Sequence, residues 1–426
     1  MGSPLILRDY QQSIGVSAAV LLKKYKIACL AMEVRCGKTL TALHAAQLYG
    51  AKKVIFLTKK KAIKSIESDY KGFNPSFEIT VTNYEQLHNF QEENFDLIIC
   101  DESHCLAQYP SIAERTKLLK NIAQGLPIIF LSGTFTPESF SQIFHQLYIS
   151  SFSPFAEYKN FYAWANAGYV NKKTKYVFNR QLNDYSQANV EKINEKIKHL
   201  FLSYTQKDAG FVQAVKEQVL KVEMKSTTYA FAEKIKRHRV HIGKDGQEII
   251  ADTEVKLMQK LHQIYSGTVL TESCTAIIFD TYKADFIKAY FKGKKIAIFY
   301  KFKAEFTALL KTFGDQITLS PEEFNESRDK IFCSQVQSGR EGINLSTADA
   351  LVMYNIDFSS VSYQQAKARI QSKDREKECL LYWIFSEGGI EEKIYERVIN
   401  KQDFTLYWFK KIYNIKTTKN AIAQQA

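Results

Sequence analysis

The strongest constraint on the fold is a series of short, nearly continuous apolar runs separated by stretches of helical period. KVIFLT (53–58), FEITVT (77–82), FDLIIC (95–100) and LPIIFLS (126–132) are each short, rich in branched residues and bounded by polar or turn residues. Such runs are what strands look like when both faces of a parallel sheet are covered. Between them lie helical patterns such as TLTALHAAQLYG (39–50), which stops on a glycine as a helix C-terminus should. This βαβα rhythm predicts a doubly wound α/β domain. It resumes later, in KKIAIFY (294–300), KIFCSQV (330–336), ALVMYNI (350–356) and LLYWIF (380–385), and so predicts a second parallel sheet.

With 426 residues, two domains are the default expectation. We place them at residues 1–215 and 216–426. Residues 140–265 read as mostly helical, with a protrusion over about 140–200 and a helical lead-in to the second domain over about 225–270. One strand-like piece, KEQVLKVEM (216–224), interrupts them. Basic patches such as KKTKYVF and EKIKRHRV fall in the same region.

Several function classes are disfavoured. No apolar run reaches the roughly 18 residues a membrane span needs, and MGSPLILRDYQQ lacks the basic start and apolar stretch of a signal peptide. The seven cysteines are scattered and include no C-x-x-C pair, against a zinc site or a disulfide framework and in favour of a reduced, cytoplasmic compartment. The formal net charge of +13 fits either a polyanionic partner or a heavily solvated surface.

Chemistry concentrates at MEVRCGKT (32–39). Gly37, Lys38 and Thr39 form the second half of a phosphate-binding loop, while the first glycine of G-x-x-x-x-G-K-[ST] is replaced by Met32. The context is the required one: the apolar run IACLAMEV (27–34) precedes the loop and a helical pattern follows it. Backbone N–H groups of Arg35, Cys36, Gly37, Lys38 and Thr39 would point at phosphates from the helix N-terminus. Lys38 would reach the β and γ phosphates of ATP, and Thr39 would hold Mg²⁺. A second piece, FDLIICDESH (95–104), ends a strand on Asp101 and Glu102. Paired acids there suit metal-assisted phosphoryl transfer, with Asp101 toward Mg²⁺ and Glu102 positioning and deprotonating the attacking water.

DESH also resembles the DExH box of superfamily 2 helicases and translocases, and further motifs of the Swi/Snf-type branch follow in order. ILRDYQQ (6–12) resembles the opening motif whose glutamine, here Gln11, reads adenine. MEVRCGKT stands where that branch has D-E-M-G-L-G-K-T, which lacks the first glycine too. TNYEQL (82–87) resembles T-x-Y-E, and LSGTFTP (131–137) resembles the S-G-T-P coupling motif. SGREGINLSTAD (338–349) resembles G-G-x-G-I-N-L-x-x-A-D, and SYQQAKAR (362–369) resembles the final Q-A-x-x-R. The likeness runs from about residue 6 to about 400 and is specific as a set rather than motif by motif.

The resemblance implies two tandem RecA-like domains that bind ATP in the cleft between them. Gly342 would join the nucleotide contacts, and Arg369 would be the arginine supplied by the second domain. The family's second arginine falls on Ser372 and its aspartate on Ala368. Arg375, three residues on, is either a displaced finger or part of an exposed charged turn. His104, Ser132 and Thr134 would couple the nucleotide state to bound nucleic acid. Contacts to that strand are expected from Lys59, Lys60, Lys61, Thr82, Asn83, Lys301, Ser338 and Arg340, and would go mostly to phosphates.

The implied protein is an ATP-dependent DNA translocase or helicase, a small phage- or bacterial-like member, favoured as a monomer on duplex, forked or branched DNA. The alternatives are an ATP-gated nucleic-acid clamp or regulatory subunit without processive movement, and an ATPase acting on protein.

Overall fold

The computed structural model describes residues 5–177, 180–210, 215–243, 246–336, 345, 347–371 and 377–400. The chain divides into two compact units, residues 1–212 and 213–426.

The first unit contains β1 (Ile27–Met32), β2 (Lys53–Thr58), β3 (Glu78–Asn83), β4 (Leu97–Cys100), β5 (Ile128–Leu131), β6 (Lys173–Val177), β7 (Arg180–Asp184) and β8 (Phe201–Tyr204). Among the described residues its main sheet has six strands in the order β3-β2-β4-β5-β1-β8. Every pairing in it is parallel. Alternate residues feed opposite faces, as a two-residue period requires. Ile27, Cys29, Ile55, Leu57, Ile98 and Phe130 go to one core, and Ala28, Leu30, Val54, Phe56, Ile99 and Leu131 to the other. Because both faces of the inner strands β1, β2, β4 and β5 are covered, no polar residue interrupts their interiors, which is why they stand out in the sequence, whereas the edge strands β3 and β8 carry Thr80 and Ser203.

The second unit contains β9 (Val215–Val222), β10 (Val240–Ile242), β11 (Glu248–Ile250), β12 (Thr268–Leu270), β13 (Ala276–Ile278), β14 (Ile296–Tyr300), β15 (Ile317–Thr318), β16 (Ile331–Gln335), β17 (Ala350–Met353) and β18 (Cys379–Ser386). Its main sheet, again six-stranded and parallel among the described residues, runs β15-β16-β14-β17-β18-β9. Ala297, Phe299, Leu351 and Trp383 face one core, while Ile296, Ile298, Val352 and Ile384 face the other. The architecture is α/β, with two units each built on a six-stranded parallel sheet.

Residues 140–200 are more mixed than a helical protrusion. Helices Ile143–Tyr148, Phe161–Trp164 and Val190–Ile197 frame the antiparallel hairpin β6–β7. They pack on a cluster of aromatic rings in which Trp164 stacks on Tyr169 with centroids 5.2 Å apart. Residues 225–270 likewise hold two helices, Ser226–His238 and Glu254–Ile264, with the hairpin β10–β11 between them and β12 after. β6 and β7 are rich in charged and polar residues and β10 and β11 are only three residues long, so none has the apolar run that marks the main strands.

Candidate nucleotide and nucleic-acid site

The loop after β1 ends on a helix N-terminus. Arg35 (φ 66°) and Gly37 (φ 74°) are both left-handed, and Gly37 is the N-cap of the helix α2 (Lys38–Tyr49). The Cys36 N–H, expected to face phosphate, is instead taken by the Glu33 carbonyl at 3.2 Å, while the N–H groups of Lys38 and Thr39 stand at the positive end of a 12-residue helix, a setting that suits an anion. Lys38 lies across the loop, its Nζ donating to the carbonyls of Met32 (3.0 Å) and Glu33 (3.2 Å). Thr39 sits half-buried in the first turn of α2.

Gln11 reaches this loop from α1 (Asp9–Tyr25). It is 3% exposed. Its Nε2 donates to the Gly37 carbonyl at 3.2 Å and its Oε1 accepts from the Arg8 N–H at 2.9 Å. The Gly37 carbonyl also accepts from the Thr41 N–H and the Thr41 hydroxyl. Cys36 is buried, which pushes its thiol up to about 11 and keeps it protonated.

Several supports were not evident in the sequence. The Tyr10 hydroxyl donates to the Cys36 carbonyl, and its ring stacks on Tyr204 with centroids 4.3 Å apart. Gln206, just after β8, donates its N–H to the Glu33 carboxylate (2.8 Å) and its side-chain amide to the Val34 carbonyl (3.0 Å). These contacts join residues more than 170 positions apart in the chain, so no local pattern reveals them.

The two acids follow β4. Asp101 accepts from the Thr58 hydroxyl at the end of β2 (2.8 Å), and its carbonyl accepts from the Tyr84 hydroxyl (2.6 Å). Burial, then the neighbouring Glu102 charge, pushes Asp101 up to about 6, against the opposing pull of Lys38 and the Thr58 hydrogen bond. Lys38 is thus close enough to be felt at Asp101 although the two follow different strands. Glu102 is left-handed (φ 49°) and caps the short turn Ser103–Leu106. His104 Nδ1 lies 3.3 Å from Glu102 Oε2 and 3.2 Å from Ser132 Oγ, and Ser132 Oγ accepts from the Thr134 N–H at 3.0 Å. Glu102, His104, Ser132 and Thr134 therefore form one polar chain from the end of β4 to the loop after β5.

Among the described residues, no group of three or more His, Cys, Asp or Glu could hold a metal. Mg²⁺ takes one or two protein ligands and completes its shell with phosphates and water. The Thr39 hydroxyl in the first turn of α2 and the Asp101 carboxylate after β4 are oxygen donors of the kind it takes. No helix of the described residues is long and apolar enough to cross a membrane.

The expected nucleic-acid contacts divide. Lys60 and Lys61 are exposed and Lys59 half-exposed, in the turn after β2. Thr82 and Asn83 are buried, and the Asn83 side-chain oxygen accepts from the N–H groups of Glu85 and Gln86 as a helix cap. In the second unit Lys301 pairs with Asp357 at 2.5 Å, so its charge is already balanced. Arg369 is 8% exposed and follows the helix Ser360–Lys367. Ser338, Arg340, Gly342, Ser372 and Arg375 lie outside the described residues.

The fold and the loop chemistry define an α/β protein with a Gly-Lys-Thr turn between β1 and α2 at one end of a parallel sheet. Comparison with known proteins then narrows the likeness. The chain is 37% identical over 83 residues to the human DNA repair and recombination protein RAD54-like, covering 19% of this chain and 11% of that protein. It is 37% identical over 78 residues to the RAD54 protein of Saccharomyces cerevisiae (18% and 9%) and 34% over 92 residues to the ISWI chromatin-remodeling complex ATPase CHR11 of Arabidopsis thaliana (21% and 9%). The matched stretch thus spans about a tenth of the length of those relatives. The solved Sulfolobus solfataricus SWI2/SNF2 ATPase core in complex with dsDNA aligns over 100% of this chain and 96% of that one, with 16% identity and a TM-score of 0.41. No family model matches the chain. The likeness to Swi/Snf-type superfamily 2 proteins is therefore one of local sequence.

Proposed function

We propose that this protein is a DNA-stimulated ATPase that converts ATP hydrolysis into movement along DNA. The observation that carries this proposal is the arrangement in the first unit. The Gly-Lys-Thr turn after β1, the acids after β4 and the Ser132–Thr134 turn after β5 all lie at the carboxyl ends of adjacent strands in one parallel sheet. Ligands of open α/β sheets bind at that end. The names of the relatives, two concerned with DNA repair and recombination and one with chromatin remodelling, support the same assignment.

In this mechanism the loop N–H groups and Lys38 bind and orient the triphosphate, and Gln11 serves the base. Thr39 and Asp101 would hold Mg²⁺, which neutralises charge building on the phosphates. Glu102 orients the attacking water and takes its proton. His104, fixed between Glu102 and Ser132, carries the state of the acid to the Thr134 turn. Arg369 in the second unit is the arginine on which fast turnover depends, with Arg375 supplementing it. Lys59, Lys60 and Lys61 hold backbone phosphates.

The deciding experiment is ATP turnover with duplex DNA, single-stranded DNA and RNA side by side at one stated salt concentration, with Lys38→Ala as the control. Stimulation by duplex DNA, and loss of turnover in the folded Lys38→Ala protein, is the expected result. Turnover indifferent to every nucleic acid would refute DNA as the partner. Displacement of a triplex-forming strand then separates movement from an ATP-gated clamp that stays in place.

A further inference from the structure

The edge of the second sheet carries an acid that the motifs do not explain. Glu217 lies on β9, the edge strand beside β18, with its side chain 14% exposed. Its Oε1 accepts from the Tyr363 hydroxyl (2.7 Å) and the Lys367 ammonium (2.5 Å). Its Oε2 accepts from the Trp383 indole N–H (3.0 Å) and the Tyr395 hydroxyl (3.2 Å). One carboxylate thus receives four donors. Burial alone would raise Glu217, but hydrogen bonds from Lys367 and Tyr363, with the Lys367 charge, hold it below the usual carboxylate range.

Two of those donors decide what the cluster does. Tyr363 and Lys367 are four residues apart on the helix Ser360–Lys367 and so share a face. Arg369 comes two residues after that helix ends, and its N–H bonds back to the Ala366 carbonyl at 3.0 Å. The Tyr363 ring stacks on Trp383 of β18 with centroids 5.6 Å apart. Any roll or slide of the helix must break the Glu217 bonds, and it must also displace Arg369.

We propose that Glu217 is the positioning residue for Arg369, its single carboxylate locking to the sheet the helix that presents the arginine. This assignment rests on the proposed dependence of turnover on Arg369. A merely structural acid would change stability alone. A positioning acid changes the turnover number while leaving nucleotide affinity in the first unit untouched.

The test uses the full chain with duplex DNA and compares wild type, Arg369→Ala, Glu217→Gln, Tyr363→Phe and the double variant Glu217→Gln/Arg369→Ala. Each is measured for kcat, KM, binding of a non-hydrolysed ATP analogue and melting temperature. Glu217→Gln keeps the shape but turns one acceptor oxygen into an amide that faces donors. The expected result is a kcat lower by about 10²-fold, the scale of a small misplacement of a reacting group, with KM and analogue binding within about twofold of wild type. Arg369→Ala should lose on the order of 10³-fold or more, and the double variant should be no worse than Arg369→Ala alone, because both act through one group. Wild-type turnover in Glu217→Gln, or a double variant that loses the product of the two single factors, overturns the proposal. Should Glu217→Gln fail to fold, Tyr363→Phe removes one bond of the four and carries the same comparison with a smaller loss. Undiminished turnover in Arg369→Ala sinks the functional role of Arg369 itself. A slow Arg369→Ala beside a fast Glu217→Gln and a fast Tyr363→Phe sinks only the role of Glu217.

Discussion

The side-chain amide of Gln11 donates to the carbonyl of Gly37 across 3.2 Å, tying the start of the chain to the turn that would hold phosphate. A Cβ added to Gly37 would lie 2.1 Å from Gln11 Nε2, and the residue has φ 74°. Gly37→Ala should therefore cost about 1 kcal/mol or more in backbone strain alone and weaken binding of an ATP analogue at least tenfold. Adding Gln11→Ala removes the clash but not the strain. The pair should be less damaged than the sum of the single effects, which thermal melts and analogue titrations of the four proteins will read.

Glu102→Gln should bind ATP normally and turn it over at background rate, since shape is kept and the base is lost. His104→Ala leaves Glu102 in place but cuts the link to Ser132. We expect basal hydrolysis within a few-fold of wild type and a much reduced response to duplex DNA. A full DNA response in His104→Ala would show that the signal takes another route.

The lysine turn after β2 makes a prediction about salt. Replacing Lys59, Lys60 and Lys61 by Ala should weaken binding equally on all DNA sequences and reduce the log–log salt slope by about one for each phosphate no longer bound. Lys301→Ala should change that slope little, because Asp357 already holds its charge. Anisotropy titrations at several salt concentrations distinguish the two.

His262 sets a pH dependence in the second unit. It is fully buried, with Nε2 against Asn355 Oδ1 at 2.5 Å. Burial, then the Lys301 charge, pushes its ionisation well below the ordinary histidine range. The unfolded chain, titrating near 6.5, binds the proton that the folded one refuses. Stability is therefore complete above about pH 6.5 and falls as the pH drops, by up to about 1.4 kcal/mol per unit for this one group. Melts between pH 8 and pH 5 should show the decline, and His262→Gln should flatten it.

The sequence revealed the parts of the fold whose burial is two-sided. β2 spans the residues of KVIFLT, and β18 contains LLYWIF with one residue added at each end. β9, an edge strand that is mostly exposed or half-buried, covers most of KEQVLKVEM and was legible by its alternation instead. The hairpins β6–β7 and β10–β11 escaped because the strands of the first are polar and those of the second are three residues each, too short to show a pattern. The same division holds for the site. Lys38, Asp101, Glu102, His104, Ser132 and Thr134 stand in local motifs, and the folded chain brings them to one end of the first sheet. Thr58, Gln206 and Glu217 belong to no motif, and Tyr84, though inside TNYEQL, gives no sign there of its bond to the Asp101 carbonyl. Their roles arise from contacts between distant segments, which a single sequence does not display.

β1 lies between β5 and β8, and the long excursion through β6 and β7 leaves from the first of these neighbours and comes home on the second. The strand that delivers the phosphate turn is thus flanked on both sides by the roots of a single appendage. A force on that appendage, from a bound partner or a lengthened loop, would be felt as a squeeze or a shear on the turn itself.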